Sequence, residues 1–216
     1  MSDRIERGRF VTLEGIEGVG KSSNVAFAAA VLRERGFDTL VTREPGGTPL
    51  AEELRALLLA HRDETVDPLT EVLLMFAARR QHVTAVIEPA LAAGRWVVCD
   101  RFTDATMAYQ GFGRGFDIER IRTLAEWCHA DVWPDLTLVL DTDIETAFAR
   151  RRGRGGAADR FEAEDRRFFN DVRAGYQRAA EDEPRRVVVT DVSAALDEVQ
   201  TSIRNQLLTF IGRVTA

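Results

Sequence analysis

Residues 15–22 read Gly-Ile-Glu-Gly-Val-Gly-Lys-Ser, and this spacing constrains the fold more than anything else in the chain. The pattern G-x-x-x-x-G-K-[ST] needs a strand before it and a helix after it, because only then do the glycine-rich backbone N–H groups converge at the positive end of a helix to cradle phosphates. Phe10-Val-Thr-Leu-Glu14 supplies the apolar strand, and a helix is expected from Lys21 to Arg35. Lys21 should reach the β and γ phosphates and the Ser22 hydroxyl should hold Mg²⁺. The expected ATP-binding stretch is therefore Gly15, Ile16, Glu17, Gly18, Val19, Gly20, Lys21, Ser22 and Ser23.

Lys21 is the only lysine among 29 basic residues. A GTP-binding switch carries an Asn-Lys-x-Asp or Thr-Lys-x-Asp element to read its base, and one lysine, already used, leaves none for it. Motor and transporter ATPases are usually larger or paired with other domains. A small kinase is the remaining class, so the chain should also contain an acceptor site and a lid.

Further apolar runs at 38–42, 95–99, 136–140 and 186–190 alternate with helical stretches. Such alternation predicts a three-layer α/β fold, a parallel five-stranded sheet flanked by helices. Helices are expected at 68–93, 118–129, 144–151, 161–181 and 193–211, with Pro89 kinking the first of these near its end. No linker or repeat divides the 216 residues, so 1–216 reads as one domain. A net charge of -6 argues against a general nucleic-acid binder. No apolar run is long enough for a membrane span, and the charged N-terminus resembles no export signal; with Cys99 and Cys128 as its only cysteines, the chain is expected in the cytoplasm.

Three clusters fall at strand ends, where open α/β sheets hold their ligands. They are Arg43-Glu44-Pro45, Asp100-Arg101 and Asp141. Asp100 or Asp141 could organise Mg²⁺ and its waters, and Asp141 could equally, with Thr142 and Asp143, only cap the helix that follows. Arg101 can clamp a phosphate at two points, with Arg43 and Arg55, the latter at the start of the next helix, adding charge. The segment 149–160, with Arg150, Arg151, Arg152, Arg154 and Arg160 among glycines, reads as a lid whose arginine could stabilise charge on a transferring phosphoryl group. His61, His82 and His129 are scattered and suggest neither a base nor a metal cluster.

Together these segments resemble the thymidylate kinases over nearly the whole chain. The likeness runs through GIEGVGKSS, TREPGGTPLAEELR (42–55), LLMFAARRQHV (73–83), CDRFTDATMAYQG (99–111), PDLTLVLD (134–141) and the lid ending in DRFE (159–162). The resemblance implies a homodimer that phosphorylates dTMP from ATP and Mg²⁺. It implies that Arg43, Arg55 and Arg101 hold the dTMP phosphate while Asp100 assists the metal. Glu44 and Pro45 belong to the same motif. Arg79 and Thr106 would hydrogen-bond thymine with Gln110 nearby, Tyr109 would pack beside the deoxyribose, and Glu17 would lie near the sugar and acceptor phosphate. Either Met75 or Phe76 would stack on the base, and Arg152, Arg154 or Arg160 would be the catalytic lid arginine. The rival readings are a P-loop kinase of a deoxynucleoside, with Glu14, Glu17 or Glu44 as base, and an ATP-dependent scaffold.

Overall fold

The apolar runs become five parallel strands among the residues that the computed structural model describes, 6–153, 160–161 and 164–215. They are β1 (Phe10–Glu14), β2 (Thr39–Arg43), β3 (Trp96–Asp100), β4 (Leu136–Asp141) and β5 (Val187–Asp191), in the order β2-β3-β1-β4-β5. β1 lies at the centre and every one of its residues is buried. A parallel sheet covered on both faces demands such continuous apolar strands. Pairing of Leu13 with both Asp100 and Leu138, and of Arg43 with Asp100, brings Glu14, Arg43, Asp100 and Asp141 to one edge. From β1 the chain builds β2 and β3 on one side and then crosses to β4 and β5 on the other, so the strand order reverses beside β1, which makes that edge the place for a ligand.

On one face of the sheet a core runs through Val11, Leu13, Leu32, Trp96, Leu138 and Phe210. It joins α1 (Lys21–Glu34) and α9 (Leu196–Val214). A second core, Phe10, Val83, Ile87, Leu91, Val97 and Phe102, fills the space under α3 (Pro68–His82) and α4 (Glu88–Ala92). Asp67 caps α3 by accepting from Leu69 and Thr70 N–H, with Pro68 in the first turn. The expected continuous helix 68–93 is instead interrupted by a π-helical turn, Val83–Ile87. That turn lets Pro89, which has no N–H to donate, begin α4 rather than kink a longer helix.

Other elements also depart from expectation. α2 (Pro49–Leu59) is capped by Thr48, so Arg55 sits at its middle and not at its start. A short helix, α5 (Thr103–Thr106), runs directly into a π-helical segment, Met107–Gly113, which the sequence pattern does not announce. α6 (Ile118–His129) falls where expected, and α7 (Ile144–Arg152), capped by Asp143, runs one residue beyond its expected end. Residues 149–152 thus form the last turn of a helix rather than a loop. α8 (Arg166–Asp182) begins later than 161 because Asp165 caps it, accepting from Phe168 N–H. α9 starts and ends three residues later than the pattern 193–211 suggests.

Beneath β1 and β4 lies a buried polar seam. Thr12 and Thr137 hydroxyls meet at 2.8 Å, and Arg186 reaches both oxygens of Asp104 at 2.7 and 2.8 Å. Asp104 is 1% exposed, so removing it strands a mostly buried guanidinium. Breaking one partner of a buried pair costs ~3–5 kcal/mol. Asp104→Ala should lose stability of that order in urea unfolding; a midpoint like wild type would show that the pair contributes little.

Candidate active site

The glycines of residues 15–20 are demanded by sterics as well as by ligand. Gly18 has φ +87°, and a Cβ there would sit 2.0 Å from the Ala147 carbonyl oxygen. Gly15 has φ +130°, and its Cβ would lie 2.4 Å from the Leu140 carbonyl oxygen. The loop is thus pressed against the start of α7 and the end of β4. Ser22 and Ser23 are exposed in the first turn of α1, whereas Lys21 is buried. Its ammonium donates to the carbonyls of Gly15 at 2.9 Å and Ile16 at 2.8 Å. Burial, then repulsion from Arg101, lowers its pKa to about 8, against the opposing pull of Glu17, Asp100 and Glu14.

Beside the loop, Arg101 organises the end of β3. Its backbone adopts φ +70°, in the left-handed region that costs a non-glycine residue ~1–3 kcal/mol. Its N–H donates to the Leu13 carbonyl, which ties the turn to β1. The guanidinium donates to Glu17 Oε1 at 2.8 Å, to the Tyr109 hydroxyl at 3.1 Å and to the Tyr176 hydroxyl at 3.1 Å, and stacks on the Tyr109 ring. Tyr109 in turn donates to Glu17 Oε2 at 2.7 Å. Burial works against the Glu17 charge, but Arg101 and Lys21 outweigh it and hold its carboxyl below the usual range. Glu14 behaves oppositely. Burial, reinforced by the Asp104 charge, raises its pKa to about 8, although Phe102 N–H and the Tyr176 hydroxyl both donate to it. Asp100 Oδ1 is buried without a hydrogen-bond partner.

A cleft of about 560 Å³ opens on the acceptor side. Glu17, Arg101 and Tyr109 line one part of it, and Pro45, Arg55 and Leu59 another. Met75, Arg79, Thr106 and Gln110 line it too, with Phe161 from beyond the lid. Arg79 is held on three sides: its Nε donates to Glu44 Oε2 at 2.7 Å, and its Nη2 to the Phe102 carbonyl and the Thr106 hydroxyl. Its Nη1 is buried and has no partner. Glu44, itself buried, also meets His82 Nδ1 at 3.0 Å. Attraction to Arg79 and His82 overcomes the burial of Glu44 and lowers its pKa. A second cleft of about 590 Å³ lies on the other side of the phosphate loop, lined by Gly18, Gly20, Asn24, Arg150, Val192 and Ala194 among others.

Several expected site residues lie elsewhere. Arg43 does not line the acceptor cleft; it is exposed and donates to both oxygens of Glu52 at 2.9 Å. β2 is an edge strand whose residues alternate in burial, which turns Arg43 outward. Phe76 is 2% exposed and packs with Val72, Ile121 and Ala125, so Met75, one residue earlier on α3, takes the place at the cleft. Asp141 neither caps α7 nor stands open, because Arg173 of α8 grips both of its oxygens at 2.6 and 2.8 Å. Arg152 is exposed at the end of α7, and Arg154 lies outside the described residues. Arg160 turns to Glu71, at 2.6 Å, and to the Leu58 carbonyl.

The family model for thymidylate kinase matches residues 13–203, which contain both clefts and the loop between them. The chain belongs to the thymidylate kinase family. Thymidylate kinase from Teredinibacter turnerae is 52% identical over 204 residues, covering 94% of this chain and 99% of its own length. That from Pseudomonas putida is 54% identical over 196 residues, covering 91% and 93%. Among solved structures, thymidylate kinase from Ehrlichia chaffeensis superposes with a TM-score of 0.76 at 31% identity, covering 95% of this chain and 99% of its own. The sheet order and the P-loop on β1 are therefore those of a thymidylate kinase. Residues that sequence reasoning missed in this site are Glu71, His82, Phe161 and Tyr176, while Glu14 is read there only as a candidate base for a nucleoside acceptor. All four act through neighbours or from distant segments, and no spacing signals them.

Glu14 carries a testable signature. Its carboxyl is protonated in the folded protein at neutral pH but ionised in the unfolded chain. The stability tied to the protonated form is complete below pH ~4.5 and is lost as pH rises through about 8. Glu14→Gln should flatten this part of the decline in urea stability between pH ~5 and ~8. Equal slopes in the two proteins would mean that Glu14 titrates normally.

Proposed function

We propose that this chain transfers the γ-phosphoryl group of ATP to dTMP, giving ADP and dTDP for dTTP synthesis. The single observation that carries the reading is an acceptor cleft lined by Arg101, which is bound to Glu17 of the phosphate loop, and by Arg55, Arg79, Thr106 and Gln110, within a chain of the thymidylate kinase family. ATP would lie along the loop with its adenine toward the Arg150, Val192 and Ala194 cleft, adjoining 191–194. The dTMP phosphate would meet Arg101 and Arg55, Tyr109 and Glu17 would border the sugar, and Met75 would lie on thymine. The donor set fits a hydrated divalent cation, Mg²⁺, because the orphaned Asp100 oxygen and the exposed Ser22 hydroxyl are hard oxygen ligands. Bound with ATP, the ion would neutralise charge on the phosphates.

A phosphate monoester is already largely dianionic at neutral pH and needs no base to become a nucleophile. What the protein must overcome is repulsion between two anions, and Lys21, Arg101 and the loop amides meet that need. A nucleoside hydroxyl would need a carboxylate base instead. None of the three candidates suits it: Glu14 is protonated, Glu17 is taken by Arg101 and Tyr109, and Glu44 by Arg79 and His82. This favours a phosphate acceptor over a deoxynucleoside. Arg152, Arg154 and Arg160 are the lid arginines proposed for the transferring group; Arg160, bound to Glu71, would have to exchange partners to serve. We further propose a homodimer in the cytoplasm, with the exposed Leu69, Leu73 and Trp127 as apolar surface for a second copy.

ATP consumption with a panel of acceptors tests the activity. dTMP should stimulate it above thymidine, dUMP, dCMP and UMP, and thymidine as the best acceptor would favour the nucleoside kinase. Lys21→Ala and Arg101→Ala should each lose most turnover, on the order of 10²-fold or more, with circular dichroism unchanged. Near-wild-type rates in either would refute the assignment.

The depressed pKa of Lys21 adds a pH test. Below pH about 8 the ammonium is already charged, and ATP binding needs no proton; above it, binding must recharge the amine. The ATP Kd should therefore rise with pH above ~8, approaching tenfold per unit, with proton uptake seen by calorimetry in two buffers. A flat Kd from pH ~7 to ~9.5 would mean that Lys21 stays charged throughout.

A further inference from the structure

Glu71 is a buried carboxylate at the first turn of α3, 1% exposed, and it lies outside the acceptor cleft. Two segments converge on it. Gln110, on the π-helical segment, donates its side-chain Nε2 to Glu71 Oε1 at 2.8 Å. Arg160, the last residue of the expected lid segment, contacts Glu71 Oε2 at 2.6 Å. Arg114 approaches the same carboxylate at 3.6 Å and binds Glu164 at 2.7 Å, adding a second tie to the chain after the lid.

An ionised carboxylate only accepts hydrogen bonds, so the end of the Gln110 amide that faces it must be the NH₂. The carbonyl Oε1 is then the atom Gln110 offers to the cleft it lines. Arg79 presents the opposite character, a buried Nη1 donor without a partner. A base entering the cleft meets a side chain that only donates, Arg79, and one whose free end accepts, Gln110. Thymine and uracil offer an O4 acceptor beside an N3–H donor and match this pair. Cytosine offers an amino donor beside a bare N3 acceptor and mismatches both.

We infer that Glu71 is a positioning residue that fixes the Gln110 amide with its oxygen toward the base, so that the cleft rejects cytosine, and that the same carboxylate anchors the end of the lid through Arg160. This rests on the dTMP kinase reading above and adds to it a residue that touches no substrate. The two jobs share one side chain, so the placement of Arg160 and the polarity toward the base are set together. A site built to pair a buried polar group discriminates strongly against a base that leaves it unpaired.

The test is the ratio of kcat/KM for dTMP over dCMP, with dUMP as control. Glu71→Gln keeps the shape but can accept or donate, which frees the Gln110 amide to turn over. The dTMP:dCMP ratio should fall about tenfold or more, while dTMP:dUMP, which depends on the methyl group, stays within about threefold. The double variant Glu71→Gln, Gln110→Glu exchanges donor and acceptor and again offers an oxygen to the base, so it should restore much of the dTMP:dCMP ratio. An unchanged dTMP:dCMP ratio in Glu71→Gln, or equal falls in both ratios, would overturn the inference. Should Glu71→Gln fail to fold, the double variant decides alone: a dTMP:dCMP ratio like that of wild type supports the inference, and one about tenfold or more lower overturns it. Wild-type enzyme that itself prefers neither dTMP nor dUMP to dCMP would fail the dTMP kinase reading first, which separates the two.

Discussion

The guanidinium of Arg101 holds the acceptor edge of the sheet together. It sits on a backbone turn in the left-handed region, tied to β1 through the Leu13 carbonyl. From there it gathers one group from the phosphate loop, one from the π-helical segment and one from α8: Glu17, Tyr109 and Tyr176. A flexible ammonium could not make three such contacts from one plane. The charges around it follow from its position. Glu17 is kept ionised by Arg101 and Lys21, while Glu14, deeper and beside Asp104, keeps its proton.

A cationic centre this enclosed balances the two clefts around it. The phosphate loop runs so close to β4 and α7 that Gly15 and Gly18 leave no room for a side chain before the Leu140 and Ala147 carbonyls. The acceptor cleft is supported from outside by buried carboxylates: Glu44 behind Arg79 and Glu71 behind Gln110. Groups that meet substrate are thereby aimed by groups that do not, which keeps reacting parts in register at little entropic cost on binding.

Much of this was legible in the residues themselves. The strand, loop and helix around Gly15–Ser22 follow from glycine spacing and the apolar run before it, and strand ends marked Asp100 and Arg101. What the residues concealed has physical causes. Whether Met75 or Phe76 faces the cleft depends on helix phase, which a π-helical turn elsewhere on the same run warns against reading too finely. Arg43 matches a motif yet points outward, because an edge strand exposes alternate side chains. Tyr176 lies 162 residues from its partner Glu14, and no local pattern records a contact of that span. Asp141 looked like a metal ligand or cap until Arg173 of a later helix claimed it.

The solitary lysine has a practical consequence in chemical labelling. Every other basic side chain of the chain outside histidine is a guanidinium, which ordinary acylating reagents ignore. Lys21 is therefore the only ε-amine they can find, and its lowered pKa leaves it more readily uncharged, and so nucleophilic, than an exposed lysine. It is also shielded, turned inward onto the carbonyls of Gly15 and Ile16. An acyl group found on a lysine, told apart from one on the chain's α-amine, thus reports on one place, the phosphate loop.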